Sequence, residues 1–447
     1  MRIINIKKLL FLVYFFAILF LMISCSSPIV ENYTISASCN AGGVISPIGE
    51  ISILPGEDQS FTITPNTGYQ IGDVQVDGDS VGVVTSYAFN NVNQDHIIMV
   101  TFLGTGPVHN LTKETYYETI QTALDDADSN DTIEVNDGTY NESIIFPYDK
   151  KIILRSIHGN PLTFIYGDAD SPTVKLLKSL AGTTLKGFTI SHKSENSGKG
   201  IELNNSHLNI DDCSINGNTS NDYGGGIKNF DSTLIISNSH ICSNITTPGS
   251  GGGIHSYNSI LSITKSIITG NYADDGAGIQ NGGNNTVTIS DSNISGNTAS
   301  LYGGGINNYN NSLGLTITDS IISGNVACYG AGIYAFNSTF TVEDTDIYGN
   351  KSNQSGGGIY LKESALTLTG STVSDNSAET GGGIMVWSIS SAALSIGGSG
   401  PAKKNVICGN YKIGNSPSLE EQIKEYFSGS LYDSFRFTNY ISASCVL

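Results

Sequence analysis

Three acidic clusters could do acid–base chemistry: Asp211-Asp212, Asp274-Asp275, and Glu343-Asp344 with Asp346. Inverting cleavage of a glycosidic bond needs two carboxylates across a cleft, one donating a proton and one activating water. The plainer reading of the same clusters is ordinary solvated bends and faces. A second set is aromatic. Phe230, Tyr257, Tyr309 and Phe336 each lie three residues after the isoleucine that closes a glycine-rich word; Tyr223, Tyr302 and Tyr329 immediately precede that word, and Tyr272 lies four residues ahead of it. Such a column either packs along a corner or offers ring faces to sugars. The word itself, Gly224-Gly225-Gly226-Ile227, would cradle a phosphate only between a strand and a helix, with Lys-Ser/Thr following, and that context is missing.

What positions these residues is a repeat. The word, or Gly-Ala-Gly-Ile, ends at Ile227, Ile254, Ile279, Ile306, Ile333, Ile359 and Ile384, in steps of 27, 25, 27, 27, 26 and 25 residues, and Gly200-Ile201 is a reduced copy. A second column is Asn218, Asn244, Asn271, Asn297, Asn325, Asn350, Asn376 and Asn410. Three residues before each stands an aliphatic residue such as Ile241, five before a small polar one such as Ser239, and eight and ten before further apolar ones such as Ile236 and Leu234. The period is too short for a propeller blade and lacks the leucine-rich order. It fits a coil of three short strands rising about 4.8 Å per turn, giving a rod of roughly 40 to 50 Å. Stacked Ile and Leu then form a core that no single coil could bury, stacked Asn can run an amide ladder, and the glycines mark a tight corner.

Ahead of the repeats, Tyr116 to Ala127 has helical spacing. The series Ile120-Gln121-x-Ala123-Leu124, Asp131-Thr132-Ile133-x-Val135 and Gly138-Thr139-Tyr140-x-Glu142 resembles the N-terminal entry of right-handed parallel β-helix proteins of the pectate-lyase-like fold. The glycine word, with Ser-x-Ile-x-Gly-Asn, resembles repeats of bacterial surface β-helix proteins, including polymorphic outer-membrane proteins. The fold class expected is therefore all-β: a right-handed single-stranded parallel β-helix with an N-terminal β-sandwich module. The resemblance also implies what an enzyme of this fold would carry: an arginine base beside calcium-binding carboxylates in lyases, or paired Asp with Gly-His-Gly and Arg-x-Lys in polygalacturonases. Here the arginines are Arg2, Arg155 and Arg436, none among the coils that carry the glycine word, and neither motif occurs.

The N-terminus gives an address. Arg2, Lys7 and Lys8 precede an apolar run from Leu9 to Ile23, a signal-peptide pattern. Leu21-Met22-Ile23-Ser24-Cys25 resembles the lipobox of bacterial lipoproteins, which implies a lipid on Cys25 and, with Ser26 following, an outer-membrane or cell-surface location; plain secretion is the alternative. Removing residues 1–24 takes the formal net charge from −19 to near −22. Residues 33–106 show short alternating segments with turn signals, such as Ser60-Phe61-Thr62-Ile63-Thr64 before Pro65-Asn66 and Val74-Gln75-Val76 before Asp77-Gly78, which read as a small sandwich. They resemble divergent B-repeat modules of surface internalins, which implies a spacer. The remaining divisions are a linker at 25–32, a cap and first strands at 111–150, repeats at 151–410 and a C-terminal cap at 411–447, where Ser418-Leu419-Glu420-Glu421 predicts a helix to about Phe427.

The acidic balance speaks against nucleic acid. The cysteines form no metal-binding spacing; Cys408 and Cys445 are the pair expected to tie down the tail if a disulfide forms. No cofactor is expected, with calcium at a carboxylate cluster as the open alternative. These readings together describe a non-enzymatic surface lipoprotein that adheres to, or binds, carbohydrate or another envelope or host surface ligand; a polysaccharide lyase or glycoside hydrolase is the alternative.

Overall fold

The computed structural model describes residues 31–388 except 67, 194–197 and 311–312, together with 394–396, 405–408, 410–412, 423–427 and 440–442. Two compact units are present, one ending at Thr105 and the other starting at Gly106.

In the first unit, period-two sequences make two sheets. One has the order Gly49–Ile53, Tyr33–Cys39, His96–Gly104, Tyr69–Val76, Asp79–Gly82; the other is Gly43–Ser46, Gln59–Pro65, Ser86–Phe89. Alternation turns Ile35, Ile98, Val100 and Phe102 of one sheet and Ile45, Phe61 and Ile63 of the other into a shared core.

The second unit opens with a helix, Ile120–Asp126. It is shorter than its spacing suggests because Thr115–Tyr117 pairs antiparallel with Val108–Asn110, and Tyr116 stacks on His109 with ring centroids 4.0 Å apart. Thr119 caps the helix by accepting from the Thr122 N–H, and the Glu142 carboxylate accepts from the Ile120 and Gln121 N–H groups. Ile120, Ala123 and Leu124 are fully buried and join Ile133, Ile144 and Leu154 in the core of the first coil.

The chain then winds into a right-handed parallel β-solenoid of about nine turns. One coil shows the plan: Ile227–Phe230 on the first face, Thr233–Ser237 on the second, His240–Cys242 on the third and Ile245–Ser250 on the fourth. Each strand pairs in parallel with its copies, so Ile227 meets Ile254, Leu234 meets Leu261 and Ile241 meets Ile268. The fourth strand is a departure from the three-strand coil expected. It forms between the asparagine column and the glycine word from Thr219–Ser220 onward, and turns small residues such as Thr246, Ala273 and Ala299 inward.

The bends explain the sequence columns. Asn and Asp, which tolerate left-handed backbone, hold it at Asp231, Asn258 and Asn310 between the first and second faces. After the third face, each asparagine amide donates to the next: Asn244 Nδ2 to Asn271 Oδ1 at 3.0 Å and to the Ile215 carbonyl at 3.0 Å, while its backbone N–H also donates to Asn271 Oδ1. The same ladder runs without a break from Asn218 to Asn410. In the glycine word the first residue is left-handed (Gly224, φ +65°), and the third is pressed against the next coil: a Cβ on Gly226 would lie 2.5 Å from the Gly253 carbonyl oxygen. Ala277 and Ala331 take the middle position without exposure.

At the other end, Ile423–Phe427 is a strand rather than the end of the predicted helix. It pairs in parallel with Ile384–Ser388 on the first face. An open sheet edge offers a full row of backbone partners, and this outweighs a capping box on a helix of barely two turns.

Candidate functional site

The first face carries a groove. In a parallel stack, residues at one strand position form a column, and two columns on this face run along the solenoid axis beside a third at the end of the fourth-face strands. One wall is Phe230, Tyr257, Gly282, Tyr309, Phe336 and Lys362, paired in register. The other wall is Tyr223, Ser250, Asp275, Tyr302 and Tyr329, the residues just before each glycine word. Between them lies the column two residues before the first wall: Lys228, His255, Gln280, Asn307, Tyr334 and Tyr360. The groove encloses about 800 Å³.

The walls are aromatic toward both ends. Phe230 stacks on Tyr257 (ring centroids 5.3 Å), Tyr309 on Phe336 (5.2 Å) and Tyr302 on Tyr329 (5.5 Å). Tyr257 and Tyr309 are 39% and 45% exposed, and Phe230 and Phe336 are half-buried, so each ring keeps part of its surface open to the groove. Lys362 Nζ lies 5.1 Å from the Phe336 ring centre. Where Asp275 and Gly282 stand, on one coil, both walls lose their rings.

The floor is polar in the middle. His255, Gln280 and Asn307 are 8%, 8% and 3% exposed, yet His255 Nδ1, Gln280 Oε1 and Asn307 Oδ1 have no hydrogen-bond partner, and neither does Asp275 Oδ1 beside them. Buried polar atoms without partners are uncommon, and here four of them line one groove. Burial pushes the Asp275 carboxyl above its usual value; the Tyr302 backbone N–H opposes this and the adjacent Asp274 adds to it. Burial also pushes His255 down to about 4, helped by Lys228 and opposed by Asp222, so the imidazole is neutral at neutral pH. Burial works against ionised Asp222, but the Ser220 hydroxyl and Lys199 hold it at about 2.

The structure does not bring the acidic clusters together. Asp211 sits on the second face, 2.9 Å from Lys186, and Asp212 is a left-handed bend residue bound to Asn160. Asp274 is turned away from the groove, accepting from Ser300 Oγ at 2.7 Å and the Gly249 N–H at 3.0 Å. Glu343 ends a second-face strand and Asp346 starts a third-face strand. Of these clusters, Asp275 alone lines the groove. Arg155 pairs with Glu134 on the first coils, at 2.9 Å. Tyr272 starts a fourth-face strand outside the groove. Among the described residues no group of three or more His, Cys, Asp or Glu could hold a metal ion. Cys408 is disulfide-bonded, while Cys25 and Cys445 lie outside the described residues.

The floor column escapes a reading by residue type, because Lys228, His255, Gln280 and Asn307 share no chemistry. Its signal is positional: each follows the isoleucine of the glycine word, one step from the core and, except at Gln280, two steps from a ring.

Residues 231–397 match the family model described as right handed beta helix region. No curated protein matches the chain. Among solved structures it is similar to Dex49A from Penicillium minioluteum, at 12% identity over 73% of this chain and 72% of that one, with a TM-score of 0.22, a likeness too slight to carry an argument. Family model and strand topology agree that the repeats form a right-handed β-helix.

Proposed function

We propose that this chain is a glycan-binding surface protein whose solenoid groove holds an extended saccharide without cleaving it. The observation that carries this is the pair of aromatic walls over a buried floor whose polar atoms lack partners. Sugars supply both complements, apolar ring faces for stacking and hydroxyls for hydrogen bonds. The coil rise, about 4.8 Å, is close to the length of one sugar residue in an extended chain, so successive residues meet successive coils. Cleavage by paired carboxylates would need a second acid facing Asp275, and the groove lining holds Asp275 alone.

In the same reading, a lipid on Cys25 holds the protein to a bacterial outer membrane or cell surface, and the first unit is a spacer. Support comes from the basic start, the apolar run and the Leu-Met-Ile-Ser-Cys word. The chain needs no cofactor, and a glycan of an envelope or host surface is its partner.

A glycan array probed with the purified chain, with and without calcium, tests the binding. Tyr257→Ala with Tyr309→Ala should lose the signal while melting as the parent does. Release of shortened products from a bound oligosaccharide would favour the alternative, a glycan-cleaving enzyme using Asp275. Cys25→Ala should move the protein out of the membrane fraction.

A further inference from the structure

We infer that the centre of the groove, at the coil carrying Asp275 and Gly282, selects a sugar bearing a free amine, so that the preferred ligand is a cationic amino-sugar chain. This rests on the glycan-binding reading and deepens it. Asp275 Oδ1, Gln280 Oε1 and Asn307 Oδ1 are acceptors without donors, and all three line the middle of the groove. Reversing the amides of Gln280 and Asn307 would turn them into donors, but a carboxylate has no such option. Its partner must bring a proton; Lys362 is three coils away on the other wall, and Lys228, two coils away on the floor column, is already paired with Glu202 and Asp222.

An ammonium suits this place better than a hydroxyl. It brings three donors and no lone pair of its own to satisfy, and it neutralises a half-buried carboxylate. A hydroxyl brings one donor and adds acceptors to a floor that already has a surplus. His255 brings no charge to Asp275, since it is neutral at neutral pH, and its Nδ1 makes no hydrogen bond. Beside Asp275, Asp274 adds negative potential while its own oxygens are engaged by Ser300 and the Gly249 N–H. The missing rings at Asp275 and Gly282 leave room there for a substituent to point down. The formal net charge of −19 favours the approach of a polycation.

The test is calorimetric binding of three oligomers of equal length to the full chain at pH 7: β-linked glucosamine, its N-acetylated form, and glucose. The glucosamine oligomer should bind about tenfold tighter or more, the scale of a hydrogen bond to a charged group. Asp275→Asn, which keeps the shape, should bring it down to the level of the other two. Tyr257→Ala with Tyr309→Ala should weaken all three. Lowering the pH should erase the preference as Asp275 takes up a proton. If the neutral oligomers bind as tightly as glucosamine and the aromatic variant weakens both, the amine selection is overturned and the groove stands. If Asp275→Asn keeps the preference, the assignment to this carboxylate is wrong. If no oligomer binds, both readings fall.

Discussion

The asparagine bend and the first-face groove are built on the same coil period, and they treat buried polar groups in opposite ways. In the bend each amide donates to the next amide and to a backbone carbonyl, and accepts a backbone N–H in return. In the groove four polar atoms are equally out of water and have nothing to bond. The bend also repeats one residue type eight times, whereas the floor column never uses the same residue in consecutive coils until Tyr334 and Tyr360. Repetition and satisfaction go with holding the coil together; variety and lack of satisfaction go with waiting for something else. Substitutions in the bend should therefore cost stability, and substitutions in the groove should leave it unchanged or raise it.

The largest effect is expected at the middle of the ladder. Asn297→Ala takes the Asn297 amide from the Ile268 carbonyl and the Asn271 backbone N–H in a place closed to water, and leaves Asn325 Oδ1 with the residue-297 backbone N–H and Asn271 Nδ2 with the Ile241 carbonyl as the remaining bonds. A loss of about 3 kcal/mol or more in denaturant unfolding follows. Next is Gly305→Ala, whose Cβ would lie 2.5 Å from the Gly332 carbonyl oxygen; about 2 kcal/mol of destabilisation is expected. Gly304→Ala should cost a similar amount, since its Cβ would lie 2.5 Å from the Val326 carbonyl oxygen, even though Ala277 and Ala331 occupy the same column on other coils.

His255 gives a pH-dependent effect. Its folded-state value, about 4, is below that of an unfolded histidine, so the unfolded chain binds the proton first as pH falls. Stability should drop between about pH 6.5 and 4 by up to about 3 kcal/mol, and His255→Asn should lose that part of the slope. Smallest, and opposite in sign, is Asp275→Asn. The raised folded-state value means that ionising this carboxyl costs the folded state, so stability declines as pH rises through that value. The amide removes the cost, and the variant should melt slightly higher than the parent at pH 7. A lower melting temperature would place Asp275 with the bend rather than with a ligand.

Much of the fold was legible because a solenoid repeats its reasons. Ile227, Ile254 and Ile279 announce one wall of the core three times over, and Asn218 to Asn410 announce a bend. The fourth strand was not, because its inward residues (Thr246, Ala273, Ala327) are too small and mixed to form an apolar pattern. The strand Ile423–Phe427 was hidden by a local helix signal that an available sheet edge overrides. For the groove, the ring column Phe230, Tyr257, Tyr309 and Phe336 could be read from spacing, and Asp275 was named among other acids. His255, Gln280 and Asn307 could not, since their burial comes from rings on neighbouring columns rather than from their own type.

Gly282 has a last consequence. A polymer laid along identical coils has many equivalent alignments, one per coil, and can step between them without loss. In the column Phe230, Tyr257, Gly282, Tyr309, Phe336 a single member differs, and on its coil the facing wall carries Asp275 in place of a ring. That coil serves as an index mark. For the saccharide proposed above, it would favour one alignment out of several, so that a polymer free to slide over the other coils would stop there.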